Sequence, residues 1–145
     1  MKDLYDNIGV NMLMEPADQA HTAWTTDWLD LQGFEGGVVS VFIGALTGVD
    51  GSNYLTLALE EGDDTTAAGA TAVAAADIEG AFTVVNSTAK DSVVQSIGYT
   101  GAKRYIRVAG TYTGTGITAG VIGVAGIVGR AHKNPVTAPT ADAAT

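Results

Sequence analysis

The alternation of apolar and polar side chains in the segment NYLTLALE, residues 53–60, is the feature that most constrains the fold of this chain. In an extended strand, Leu55, Leu57 and Leu59 lie on one face and the polar residues on the other, which is typical of a half-buried strand. Helical periodicity is nearly absent from the rest of the sequence, and β-branched residues, glycine and threonine dominate it. The sequence therefore predicts β-strands joined by short turns.

Several other segments have the composition of strands. GVVSVFIGAL, residues 37–46, is apolar on both faces, as expected of a central strand that is covered on both sides. DGSN, residues 50–53, predicts a turn that joins this strand to the next one in a hairpin. About seven or eight strands result, which favours an all-β two-sheet sandwich of the jelly-roll type. The remaining predicted strands are residues 22–31, 80–85, 92–99, 103–113 and 117–128, and a weaker segment at 70–76 fits a short helical turn equally well.

The 145 residues fit one domain with a single core, and no linker divides them. We place the β-sandwich domain at residues 22–134, after an N-terminal arm at residues 1–21. Residues 135–145 contain two prolines and no core-forming pattern, so we expect an extended or disordered tail. Because the sequence has neither the pattern of a signal peptide nor an apolar run of about 20 residues, we expect a soluble, unexported protein.

The charges are divided unequally along the chain. Residues 1–91 contain fifteen carboxylates and two lysines, whereas the rest contains five cations and only Asp142 as an acid. Such asymmetry is typical either of a surface made for an oppositely charged partner or of a fold whose two halves neutralise each other. The sequence leaves both explanations open.

No pattern in the sequence indicates catalysis or a bound cofactor. The absence of cysteine excludes thiolate metal sites and cysteine nucleophiles. The acidic segment from Glu60 to Asp64 lacks the ligand spacing of a calcium loop, and His21 and His132 are too far apart for a helical metal-binding pair. A triad of one histidine with a serine, assembled in space, is left open. We expect no enzymatic activity, no catalytic residue, no cofactor and no metal.

Three of the seven cations lie within residues 103–107, in the segment KRYIR. On a strand, Lys103, Tyr105 and Arg107 share one face, and Arg104 and Ile106 share the other, apolar face. Tyrosine and arginine are enriched where proteins dock, so Lys103, Tyr105 and Arg107 are our candidate protein interface. The alternative is that Arg107 only pairs with a carboxylate on a neighbouring strand.

The segment IGYTGAKRYIRVAGTYTGT, residues 97–115, is followed by AGVIGVAGIVG and then by RAHKNPV. This pattern resembles the C-terminal half of the head decoration, or cement, proteins of tailed bacteriophages. The resemblance covers residues 92–136 well and extends more loosely back to Thr22. The segment GRAHKNP departs from the histidine- and proline-rich turn that the family pattern has at this place.

The resemblance implies a jelly-roll subunit that forms a homodimer or homotrimer on the outer surface of the virion. Such a subunit would be made in the host bacterial cytoplasm and would bridge copies of the major capsid protein. The net charge of −9 argues against nucleic acid as the main partner, and we expect no membrane partner. Two other functions are compatible with the sequence. One is another virion component, in the tail or fibre base. The other is a carbohydrate-binding β-sandwich, supported only by Trp24 and Trp28, which we expect to be core residues.

Overall fold

The computed structural model describes residues 5–19 and 23–132. The described residues contain no α-helix, and none of their helical turns is long or apolar enough to cross a membrane. The all-β prediction is confirmed. Ten strands are present in the described residues: β1 (Ile8–Asp18), β2 (Trp24–Thr25), β3 (Leu29–Asp30), β4 (Phe34–Thr47), β5 (Tyr54–Gly62), β6 (Thr71–Ala72), β7 (Ile78–Glu79), β8 (Val93–Tyr99), β9 (Tyr105–Thr113) and β10 (Ala119–Ala131). Single 3₁₀ turns lie at Tyr5–Asn7, Ala67–Gly69 and Ala75–Asp77.

The strands form two antiparallel sheets. Sheet A has the order β1-β10-β4-β8-β7, and sheet B has the order β2-β9-β5-β6, with β3 also paired to β9. The pairs are nested along the chain: β1 pairs with β10, β2 and β3 with β9, β4 with β8, and β5 with β6. This nesting is the connectivity of a jelly roll, in which one long antiparallel ribbon is rolled into two sheets. The predicted two-sheet sandwich of the jelly-roll type is therefore confirmed.

The core lies between the two sheets and is built from alternate residues of their central strands. Leu55, Leu57 and Leu59 of β5 are at most 7% exposed, which confirms the alternation predicted for residues 53–60. Sheet A contributes inward side chains from β4 and β10, including Val39, Val41, Ile43, Ile122, Val124 and Val128. Because both sheets bury one face against the same interior, the other face of each sheet points outward.

The predicted hairpin between residues 37–46 and 53–60 is wrong. The turn is present, since Asp50 accepts backbone N–H groups from Ser52 and Asn53, but β4 belongs to sheet A and β5 to sheet B. The chain crosses from one sheet to the other at this turn, and each strand then buries a face against the shared core. Residues 80–85 contain no strand beyond an isolated bridge between Leu55 and Val85.

Residues 8–18 belong to the sandwich, although the sequence places them in an N-terminal arm. They form β1, the edge strand of sheet A, and Leu13 is only 2% exposed in the core. The alternation of β1 is interrupted by register shifts after Met12 and Met14, which hide the strand pattern in the sequence. The predicted tail, residues 135–145, lies outside the described residues.

Candidate protein-interaction surfaces

The cations of the segment KRYIR lie at the start of β9, at one end of sheet B. The strand begins at Tyr105, so Lys103 and Arg104 belong to the turn that precedes it. Ile106 is fully buried in the core, whereas Tyr105 and Arg107 are half-buried on the outer face of sheet B. The predicted separation of β9 into an apolar face and a polar face is confirmed.

Four ion pairs in the described residues join the cation-rich C-terminal part of the chain to the acidic N-terminal part. Their shared feature is that each cation lies after residue 91 and each carboxylate before it. This arrangement follows the second explanation for the charge asymmetry, in which the two halves neutralise each other. The pairs are Lys103–Asp63, Arg104–Asp30 at 2.7 Å, Arg107–Glu60 at 2.7 Å and Arg130–Glu35 at 3.7 Å.

The pair between Arg107 and Glu60 is the most buried of these four. The two side chains are only 11% and 25% exposed. The guanidinium of Arg107 also stacks on the indole ring of Trp28, 4.6 Å from the ring centre. A desolvated cation that both pairs with a carboxylate and covers an aromatic ring is held more firmly than an exposed ion pair. Arg107 therefore has a structural role within this chain.

Tyr105 completes this group of rings and guanidinium groups. Its ring meets Trp28 edge to face, with centroids 6.5 Å apart, and Arg104 stacks over it at 4.7 Å. Arg104 is fixed in turn by two hydrogen bonds, from Nε at 2.9 Å and from Nη2 at 2.7 Å, to the carboxylate of Asp30. That contact holds the pKa of Asp30 below its usual value. We call Trp28, Arg104, Tyr105 and Arg107 with their carboxylates the sheet B cluster.

The structure thus brings Lys103, Tyr105 and Arg107 together on one surface, as predicted. The carboxylate partners that it shows for the two cations come from the same chain, which is the alternative that the sequence analysis kept open. Docking of this surface on a second protein stays a prediction.

The two tryptophans have different positions. Trp24 is 9% exposed, and its indole lies so close to Gly110 that an added Cβ there would be 2.2 Å from the ring; its predicted core position is confirmed. Trp28 is half-buried on the outer face of sheet B, so its predicted core position is wrong. The strand is interrupted between β2 and β3, where the hydroxyl of Thr26 accepts the backbone N–H of Val108. This interruption breaks the alternation and turns Trp28 outward.

The carboxylates of the acidic segment 60–64 are each engaged by a different partner. The hydroxyl of Tyr99 donates to Glu61 at 2.6 Å, and Thr66 donates its backbone N–H and its hydroxyl to Asp64. Glu60 and Asp63 form the ion pairs described above. In residues 5–19 and 23–132, no three histidine, aspartate or glutamate side chains are grouped to hold a metal ion.

Tyr99 links the acidic segment to the turn that carries the cations. Its side chain is 2% exposed, and besides donating to Glu61 its oxygen accepts the backbone N–H of Lys103 at 2.9 Å. Burial, with the Glu61 carboxylate as a further cause, raises the pKa of the Tyr99 hydroxyl well above its usual range. The neutral hydroxyl is therefore the form that the fold stabilises.

The outer face of sheet A has a different composition. Twelve adjacent outward positions in the middle of its four main strands carry no charge: Val10 and Met12 on β1; Val121, Gly123, Ala125 and Ile127 on β10; Val38, Ser40 and Phe42 on β4; Val94, Ser96 and Gly98 on β8. We call these residues the sheet A outer face. Of the eight large apolar side chains that are exposed in the described part of the chain, six belong to it: Val10, Met12, Val38, Phe42, Val94 and Val121.

Small residues occupy the middle of the sheet A outer face. Cross-strand partners Ala125, Ser40 and Ser96 form a low row, in which the two serine hydroxyls are hydrogen-bonded at 2.7 Å. A shallow depression of about 390 Å³, with mainly apolar walls, lies beside Phe42 and Val94.

Charged residues lie at the edge of this face. Asp18 on β1 is paired with Val121, Glu79 on β7 is paired with Gly98, and Glu35 and Arg130 lie at one end. An apolar centre with a charged rim is the usual composition of a protein–protein contact.

The sequence contained one signal for this surface. GVVSVFIGAL, residues 37–46, is apolar on both faces and was expected to be covered on both sides. In the structure its inward residues are covered by sheet B, whereas Val38 and Phe42 remain 36% and 48% exposed. Within residues 5–19 and 23–132, this strand therefore has only one of the two covers that it needs.

Comparison with known proteins gives little information about function. No family model and no curated protein matches this sequence. Among solved structures, the fold is similar to that of the CBM22-1 and GH10 modules of a Clostridium thermocellum endo-1,4-β-D-xylanase, determined with bound xylohexaose. The match has a TM-score of 0.42 and 13% sequence identity, and covers 94% of this chain but only 28% of the other. Similarity at this level does not transfer a function.

Proposed function

We propose that this protein is a non-enzymatic structural subunit that binds the outside of a tailed-phage capsid and stabilises the head by bridging capsid subunits. The observation that carries the structural role is the sheet A outer face, with its twelve uncharged positions. Proteins that act alone rarely expose a continuous apolar surface of several hundred Å², because covering it with another protein releases the water around it. A surface of this kind favours a protein whose work is assembly.

The resemblance of residues 92–136 to phage head decoration proteins supports the capsid as the site of assembly. The partners that follow from it are the major capsid protein and further copies of this chain. A capsid repeats one contact many times, so a modest affinity per subunit stiffens the whole lattice once several linked subunits bind together. A rigid jelly roll that associates with other subunits through a flat apolar face would supply such linked subunits.

Immunoelectron microscopy tests this proposal. Phage particles from the source of this sequence are labelled with an antibody raised against the recombinant chain. Label on the outside of the heads is the expected result. Label confined to the tail or fibre base would favour the other virion component considered above, and particles without label would contradict a role in the virion.

A second candidate function is carbohydrate binding, which Trp28 and Tyr105 favour. Their rings lie together on the outer face of sheet B, beside the carboxylates of Asp30 and Glu60, and sugar-binding sites combine aromatic faces with such hydrogen-bonding groups. Against it, Arg107 covers one face of the Trp28 ring and Arg104 one face of the Tyr105 ring.

Titration with xylo-oligosaccharides tests this second candidate. Because Trp24 is buried, a saturable change in tryptophan fluorescence that disappears in Trp28→Phe would support it. An unchanged signal at millimolar sugar would remove xylan-type ligands from consideration.

A further inference from the structure

We propose that the sheet A outer face binds the same face of a second copy of this chain, so that the protein forms a face-to-face dimer. This inference rests on the proposed function, since it names the partner of the surface that carries that function. Two sheets that pack through apolar faces lie about 10 Å apart, as the two sheets within one jelly roll do. A contact between identical faces is closed by a two-fold axis, so it ends at two copies and forms no open chain.

Charge directs a second copy to this face rather than to any other. The chain has a net charge of −9, so two copies repel each other over most of their surfaces. The repulsion is smallest where the contact contains no carboxylate, and the sheet A outer face offers twelve adjacent positions without one. A partner with a basic surface would instead be attracted to the acidic regions of this molecule. On an acidic chain, an uncharged face is therefore the surface through which two copies can associate with the least repulsion.

The shape of the face fits a second copy as well. Phe42 and Val38 stand on either side of the low row made by Ala125, Ser40 and Ser96, and Met12 lies at its end. The depression beside Phe42 has a volume of about 390 Å³, which is large enough to admit an apolar side chain from the facing sheet. Each copy thus presents both large side chains and room for those of its partner.

The area of the face is sufficient for a specific contact. From their fractional exposures, the six large side chains leave on the order of 500 Å² of apolar surface open to water. With the smaller residues between them, a face-to-face dimer would bury roughly 1,200 Å² in total, which is the lower end of the range for specific complexes. Contacts at this end of the range are generally weak, so we expect a Kd on the order of 1 µM.

The test compares two valine-to-glutamate variants of the full chain. Val94 lies on the sheet A outer face and is 56% exposed, whereas Val84 lies outside that face and is 38% exposed. Both substitutions place one carboxylate at an exposed valine, so they change net charge and solubility equally. In a two-fold dimer Val94→Glu introduces two carboxylates into the contact, and we expect it to raise the Kd about 100-fold or more. Val84→Glu should leave the Kd within about threefold of the unsubstituted chain.

Sedimentation velocity over a range of protein concentrations measures this difference, and near-ultraviolet circular dichroism checks that each variant is folded. The expected result is a species of twice the chain mass for the unsubstituted protein and for Val84→Glu, and a monomer for Val94→Glu. A folded monomer of the unsubstituted chain at 100 µM, roughly a hundred times the expected Kd, would overturn the inference. So would equal dissociation of both variants, because the effect would then come from charge alone.

Attachment of the same variants to phage heads separates this inference from the proposed function. Suppose that the unsubstituted chain is a monomer that binds heads, and that Val94→Glu abolishes this binding. The capsid would then be the occupant of the face, which overturns the inference and leaves the proposed function standing. A dimer that Val94→Glu dissociates, in a chain that no head binds, would leave the inference standing and contradict the function.

Discussion

The outer faces of the two sheets differ in whether their side chains find partners within the chain. On sheet B, cations, carboxylates and aromatic rings satisfy one another within the chain, as in the contact of Arg107 with both Glu60 and Trp28. On sheet A, large apolar side chains such as Phe42 and Val94 remain exposed and have no charged neighbours among the twelve outward positions. Rare cations can therefore serve the fold of their own chain, as Arg107 does through Glu60 and Trp28.

The largest effect is expected from Arg107→Ala in the sheet B cluster. It leaves the carboxylate of Glu60 without its cation in a half-buried position and uncovers the Trp28 ring. We expect the free energy of unfolding to fall by about 2 kcal/mol or more, measured by chemical denaturation.

Lys103→Ala is the matched control for that variant. Lys103 also pairs with a carboxylate, Asp63, but their side chains are 41% and 75% exposed. The expected loss is below about 0.5 kcal/mol. Equal losses for Arg107 and Lys103 would show that burial does not distinguish the two pairs, and would contradict a structural role for the cluster.

On sheet A, Phe42→Ser is expected to change stability only through association. Since Phe42 is already 48% exposed, its removal costs the isolated chain little, but a dimer loses two large apolar side chains. The melting temperature of the unsubstituted chain should rise with protein concentration. At a concentration of ten times the Kd, association should add about 1 kcal/mol to the free energy of unfolding.

In Phe42→Ser this concentration dependence should disappear, as scanning calorimetry at several concentrations would show. A melting temperature that is independent of concentration in the unsubstituted chain would remove the contrast between the two faces.

The sheet B cluster should also make stability depend on acid pH. The hydrogen bonds from Arg104 are the main cause of the lowered pKa of Asp30. A carboxyl group whose pKa is lower in the folded than in the unfolded chain adds stability above its unfolded value, here 3.8, and this stability is lost as the pH falls through the folded value. Urea denaturation between pH 5 and about 2.5 should show this loss. Asp30→Asn should make it smaller, and an unchanged pH profile would contradict the assignment.

The smallest effect is expected at alkaline pH. Burial raises the pKa of Tyr99 in the folded chain, so its contribution is complete below the unfolded value of 10.0 and declines as the pH rises above it. Stability should therefore decrease above pH 10, and Tyr99→Phe should be less stable at neutral pH but flatter above pH 10. A parallel decrease in both proteins would assign the alkaline loss to other groups.

The parts of this structure that the sequence predicts correctly depend on neighbours along the chain. The inward positions of Leu55 and Ile106 follow from alternation alone, because a strand fixes which side chains share a face. The failed hairpin depended on a longer-range fact: the turn at Asp50 is compatible both with pairing and with crossing between sheets. Trp28 turned outward because the pairing with β9 shifts by one residue between β2 and β3, which no local pattern contains.

For the two candidate surfaces, too, the sequence predicts what depends on local pattern and misses what depends on strand pairing. The sequence placed Lys103, Tyr105 and Arg107 together, but only the register of β5 and β9, which sets Glu60 opposite Arg107, supplies a partner. The apolar pattern on both faces of residues 37–46 indicated that part of the sheet A outer face would be apolar. Its extent could not be predicted, since it needs β1, β10 and β8 to lie beside β4, and these come from distant parts of the chain.

The nested pairing of strands also bears on the order in which the chain folds. Closing a short loop costs less conformational entropy than closing a long one, and each inner pair that forms shortens the loop of the next pair outward. The ribbon is thus favoured to close from β5 and β6 outward, and β1 joins β10 last. Because β1 carries Val10 and Met12, the apolar outer face is completed only when both ends of the chain have met, which delays self-association until the subunit is folded.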